Sequence, residues 1–207
     1  NNVHGGLSLQ GNTDGQRWSA VGEIDLDSAI WRGIQLTQVR GPILMDQSGV
    51  RFGAMTVSDG MAPRRLSAKV AGGIIEVDGM ASSSGFGGFT VSASLADADL
   101  ERIVCDSHGT PHRFKGRVFG SVEISGSRAG THSLRGHGQL RIRDADVYEL
   151  PLVVAMLKML RVKAPDRNAF GSSFIQFRIA GPHAYLDEIE LAGDALSLVG
   201  NGEVGFD

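Results

Sequence analysis

Phe114-Lys-Gly-Arg-Val-Phe-Gly-Ser-Val-Glu-Ile124 carries the fold in its alternation. Its even positions read Phe114, Gly116, Val118, Gly120, Val122 and Ile124. Its odd positions read Lys115, Arg117, Phe119, Ser121 and Glu123. Successive side chains of a strand point to opposite faces, so this stretch offers one apolar or bare face and one mostly polar face. Strands of that kind belong to antiparallel sheets with one side in water. The same period runs outward in both directions. Phe89, Val91, Ala93 and Leu95 alternate with Thr90, Ser92 and Ser94; Leu140 and Ile142 with Gln139, Arg141 and Arg143. Ile175, Phe177 and Ile179 alternate with Gln176 and Arg178, and Leu196, Leu198, Val204 and Phe206 follow. Upstream, Ile24 and Leu26 alternate with Glu23, Asp25 and Asp27, and Val50, Phe52 and Ala54 with Arg51 and Gly53. Asp14-Gly15, Ser48-Gly49, Asp59-Gly60, Asp78-Gly79 and Gly181-Pro182 read as turns between them. The pattern predicts a mainly β fold of roughly 12 strands, each about 6–12 residues long.

Composition narrows the function. Across 207 residues, 20 Lys and Arg stand against 23 Asp and Glu, a net charge of −3. No basic stripe is present, which argues against nucleic acid as a partner. Hydrophobic residues are 42% and charged residues 21%, enough apolar material for a core. The 29 glycines, about twice the usual share, with only 6 prolines, fit many strands joined by tight turns. The single cysteine, Cys105, excludes an internal disulfide framework and a Cys-rich zinc site. No run approaches the ~20 apolar residues of a membrane span, and no signal peptide opens the chain. A start at Asn1 rather than Met suggests a processed chain or an excised fragment.

Two segments read as helix. Ala98 to Val104 is short, with Asp97 available as N-cap. Leu150 to Val162 is the stronger, with Pro151 in its first turn. Leu152, Val153, Met156, Leu157, Met159 and Leu160 cover most of its circumference, so it must be covered on more than one side.

Tests for chemistry find little. Gly136-His137-Gly138 lacks the third glycine of a dinucleotide fingerprint, because Arg141 stands there. No phosphate loop and no nucleophile elbow are present. Cys105, Asp106, His108 and His112 crowd into eight residues, but the segment reads as a loop around Gly109 and Pro111. Asp25 and Asp27, Asp144 and Asp146, and Glu188 and Glu190 share strand faces that read as solvated. His4, His132, His137 and His183 form no ligand pattern, and Trp18 and Trp31 read as lying in different strands. The sequence therefore predicts no catalytic residue, no metal and no cofactor.

The C-terminal half, roughly residues 95 to 207, resembles the C-terminal region of the AsmA-like proteins of the bacterial envelope. The resemblance rests on Gly116-Arg-Val-Phe-Gly-Ser-Val-Glu-Ile-Ser-Gly126 and on Leu134-Arg-Gly-His-Gly-Gln-Leu-Arg-Ile-Arg-Asp-Ala-Asp-Val-Tyr-Glu-Leu-Pro-Leu152. There a Gly-x-Gly strand leads through an acidic turn into a Leu-Pro helix. Phe170, Phe174 and Phe177 follow, and Ile189-Glu-Leu-Ala-Gly-Asp-Ala-Leu-Ser-Leu-Val-Gly-Asn-Gly-Glu-Val204 closes the pattern. Val70-Ala-Gly-Gly-Ile-Ile75 is a weaker upstream echo.

The resemblance implies a large curled antiparallel sheet with an apolar inner groove, the Leu150–Val162 helix packed at it. It implies one continuous β-rich unit over 1–207, with N-terminal strands in 1–95 and the AsmA-like region in 96–207. The implied function is non-enzymatic: phospholipid transfer and outer-membrane biogenesis in the periplasm. The implied anchor is in the inner membrane, through a segment outside this chain, and the implied partners are phospholipid or other lipid, the two membranes and other envelope proteins. The groove would use Val118, Val122, Leu140, Ile142, Met156, Met159, Leu160, Phe177, Ile179, Leu196 and Leu198. An alternative reading is a closed β-sandwich that binds carbohydrate or protein at its loops. A third is a hydrolase built on the Cys105–His112 loop.

Overall fold

A computed structural model describes residues 3–31, 33–56, 64–85, 87–108, 115–144, 171–193 and 197–206. The strands are β1 (Val3–Thr13), β2 (Trp18–Trp31), β3 (Ile34–Asp46), β4 (Gly49–Phe52), β5 (Leu66–Val70) and β6 (Gly73–Ser82). They continue as β7 (Phe89–Asp99), β8 (Arg117–Gly126), β9 (Arg135–Arg143), β10 (Ser172–Ala180), β11 (His183–Ala192) and β12 (Ser197–Gly205). All 12 belong to one antiparallel sheet in the order β1-β2-β3-β4-β6-β7-β8-β9-β10-β11-β12. The mainly β expectation therefore stands. The order is close to a meander, most strands lying beside the one they follow, although α1 intervenes between β7 and β8 and residues 144–171 between β9 and β10.

The one departure lies between β3 and β6. Two short strands share that gap: β4 pairs with one end of each neighbour and β5 with the other. Strand β6 changes partner at Asp78, which is 5% exposed. Its carboxylate accepts the Ala54 N–H at 2.6 Å, in the 3-10 turn Gly53–Thr56 that ends β4. It also faces the Arg65 guanidinium at 3.3 Å, at the entry to β5. The pair Asp78-Gly79, read from sequence as a turn, thus sits inside a strand. The turn chemistry of Asp78 is spent on a neighbouring segment instead.

One α-helix is present among the described residues, α1 (Leu100–His108). It starts two residues later than the sequence suggested, and its cap is Asp99. The Asp99 carboxylate accepts the N–H groups of Glu101 at 2.9 Å and Arg102 at 3.3 Å. Asp97 instead takes a left-handed conformation (φ 56°) in a bulge, after which Ala98 still pairs with Val118. Further register shifts lie at Asp27 of β2 and Gln38 of β3. Such bulges bend a strand and increase its twist. Those at Asp27, Gln38 and Asp97 fall at the α1 end of the sheet, where α1 contacts both β7 and β3, and another, at Asp187 of β11, lies near mid-strand.

Cys105 lies within α1 rather than in a loop. Trp18 and Trp31 are the two ends of one strand, β2. Strand β7 runs through the 95/96 division. The Leu150–Val162 helix lies outside the described residues.

Candidate functional site

Residues directly opposite in an antiparallel ladder project to the same face. One line of such partners can be followed from edge to edge. It reads Leu9, Gly22, Ile43, Phe52, Gly79, Val91, Ile124, Gly136, Ile179, Ala184 and Val204. Every member is apolar or glycine. Two residues along the strands, a second line reads Leu66, Val77, Ala93, Val122, Gly138, Phe177, Leu186 and Gly202. A third reads Ala68, Ile75, Leu95, Gly120, Leu140, Ile175, Ile189 and Gly200. Between these two, on the other face, lie Ser67, Glu76, Ser94, Ser121, Gln139, Gln176 and Glu188. That other face is mixed rather than purely polar, since Val21, Ile74, Met80, Phe119, Phe174 and Val199 also lie on it.

The sequence-predicted groove residues fall into place on this surface. Val118, Val122, Leu140, Ile142, Phe177, Ile179 and Leu198 all share the apolar face. Met156, Met159, Leu160 and Leu196 lie outside the described residues. Sequence reasoning did not extend the surface to Leu9, Ile43 and Val91 in the N-terminal strands. The same period-2 signal was available there.

The Gly-x-Gly pairs gain a physical role. Gly136 and Gly138 both fall on the apolar face, as do Gly200 and Gly202. A Cβ at Gly138 would run into the ring of Phe177, and one at Gly79 into the ring of Phe52. The bare positions let an aromatic ring from the next strand lie flat across the backbone.

Burial on this face is uneven. Ala98 is 0% and Val118 4% exposed, and Ile142 and Ile179 are buried. Val122, Leu140, Phe177 and Leu198 are only partly covered. At the outer strands Val3, Leu7, Leu9 and Val204 are exposed.

The opposite face carries polar hollows. One of about 440 Å³ is lined by Ser92, Ser94, Ser121, Gln139 and Gln176, with Glu76, Glu123 and His137 around it. Among the described residues no group of three or more His, Cys, Asp or Glu is placed to hold a metal. Cys105 is half-buried in α1, and the chain from 109 to 114, which includes His112, lies outside the described residues. No family model, curated protein or solved structure matches the chain.

Proposed function

We propose that this chain holds the acyl chains of phospholipid, or of a related lipid, along its apolar face. It would do so as one segment of an envelope lipid-transfer protein working in the periplasm between the inner and outer membranes. The observation that carries the reading is the unbroken apolar line from Leu9 to Val204, spanning both edges of a single sheet. A face that served only as core would be covered along its whole width. Here much of it stays partly exposed, and exposed apolar surface of that extent marks a binding surface. Acyl chains ask only for continuous apolar contact, at about 0.8 kcal/mol per buried methylene. The polar face would meet water, and the resemblance to AsmA-like proteins points to the same class of cargo.

The test is mass spectrometry of organic extracts from the purified chain, beside Leu140→Asp. Leu140 lies partly exposed between Gly120 and Ile175. The expected result is co-purifying lipid in the parent, lost in the variant, with melting temperatures a few degrees apart at most. Absence of lipid from the parent, or a collapse in the melting temperature of the variant, overturns the reading.

A further inference from the structure

On the polar face, β9 presents Arg141 and Arg143 two residues apart, about 7 Å along the strand. Their cross-strand neighbours are unusual. Arg143 stands directly opposite Arg117, a like-charge pairing that destabilises a bare sheet. Arg141 stands between Phe119 and Phe174. The Arg141 guanidinium lies 5.5 Å from the centre of the Phe174 ring, and that of Arg143 lies 5.4 Å from the centre of Phe119. Six other arginines, at 40, 51, 64, 65, 117 and 178, each reach a carboxylate. Arg141 and Arg143 reach none among the described residues, as is also true of Arg17, Arg102, Arg128 and Arg135.

Across Phe174, on β11, stand Glu188 and Glu190, which also lack an ion pair among the described residues. These four charges line one hollow of about 430 Å³, with Ser172 and Phe174. The opposite charges thus stand two strands and about 10 Å apart at the backbone. Phe174 lies between them, with the Arg141 guanidinium over its ring.

We propose that this hollow binds a phosphate ester that carries a cationic amine, of the phosphoethanolamine type. The phosphate oxygens face the Arg141 and Arg143 guanidiniums, whose planar forks suit them. The ammonium faces Glu188 and Glu190, and the two-carbon link spans the gap beside Phe174. The site lies on the face away from the apolar line, so it stands or falls independently of acyl-chain binding.

Titration calorimetry on the full chain at low salt tests it, with O-phosphoethanolamine, inorganic phosphate and ethanolamine as probes. Phosphoethanolamine should bind about tenfold or more tighter than inorganic phosphate. The pair Glu188→Gln and Glu190→Gln should remove that preference and leave phosphate binding intact. The pair Arg141→Ala and Arg143→Ala should weaken both phosphate probes by about tenfold or more. The pair Arg128→Ala and Arg135→Ala, with the same change in net charge, should alter neither. If the Arg141 and Arg143 variant fails to fold, the glutamate pair carries the test alone. Retention on vesicles bearing phosphoethanolamine headgroups, displaced by the soluble compound, identifies a bilayer lipid as the source. Soluble binding without retention identifies a free metabolite. Equal affinity of the parent for phosphate and phosphoethanolamine, or equal loss in the control pair, overturns the proposal.

Discussion

Ala98 and Val118, beside α1, are 0% and 4% exposed, whereas Val3 and Val204, on the same apolar face of the two outer strands, are 64% and 50% exposed. The residue types hardly differ between the two regions, and neither does the alternation that produces them. What differs is cover. Ala98 and Val118 lie close to α1, which contacts β3 as well as β7, and both are covered. At the outer strands Val3, Leu7, Leu9 and Val204 stay exposed. A single alternating pattern therefore yields a small core in one place and an open surface in another. The first supports the fold, and the second is the surface proposed above to hold lipid.

The sharpest way to break this comparison is to place the same charge in both regions. Val118→Asp puts an unpaired carboxylate where 4% of the side chain is exposed. The expected cost is about 4 kcal/mol, large enough to unfold a marginal domain. Val204→Asp, at the half-exposed edge, should cost no more than about 0.5 kcal/mol. Urea denaturation of the two variants gives the measurement. Equal costs would mean that the edge is covered in solution and that the face is core throughout.

A second prediction concerns a polar fastening at the centre. Asp78 holds the end of β4 through the Ala54 N–H and the start of β5 through Arg65, so both short strands depend on it. Asp78→Ala leaves a buried N–H without a partner and should cost about 2–3 kcal/mol. Asp78→Asn keeps an acceptor for Ala54 and should cost less than half of that. Thermal melts of the pair separate the hydrogen bond from the charge. Identical losses would assign the effect to Arg65 alone.

Asp78 also marks where the sequence stops being legible. The alternation is a local property, set by the two-residue repeat of a strand, so the strands and their apolar face could be read residue by residue. The partner switch in β6 depends on which segments meet in space, and Asp78-Gly79 looks locally like any turn. The same limit applies to the helix cap. Asp97 and Asp99 are equally good caps by type, and only the bulge that lets Ala98 pair with Val118 decides for Asp99. It applies again to Phe119 and Phe174. Their parity places them on the polar face, but nothing in a one-dimensional pattern shows that Arg141 and Arg143 settle beside them. Parity places Val118 and Leu140 on one apolar face. It does not tell that Val118 is buried and Leu140 partly open, because burial depends on which segments meet in space.

The smallest expected effect belongs to two turns at the end of the sheet away from α1, one between β1 and β2 and one between β3 and β4. The Asp14 carboxylate accepts the N–H of Arg17 at 2.7 Å and of Gln16 at 3.1 Å, between β1 and β2. These backbone donors, Arg17 first, hold its pKa below the usual carboxylate range. Asp46 is held low mainly by the Ser48 hydroxyl, with the Ser48 N–H and Arg51 assisting. The Gln47 side-chain amide donates to the Gln16 carbonyl at 3.1 Å and ties the two turns together. A carboxyl whose pKa is depressed by folding stabilises the native state above its unfolded pKa, about 3.9 for Asp. That contribution is lost as pH falls through the depressed folded value. The parent should therefore hold a constant contribution from these turns between pH 7 and 5 and lose it only below about pH 4. In the double variant Asp14→Asn and Asp46→Asn the drop in melting temperature from pH 5 to 3 should be smaller than in the parent. Asp78 and its partners would be untouched, so the difference isolates these two turns. A double variant with the same acid sensitivity as the parent would show that the two carboxylates add nothing to the hairpins they close.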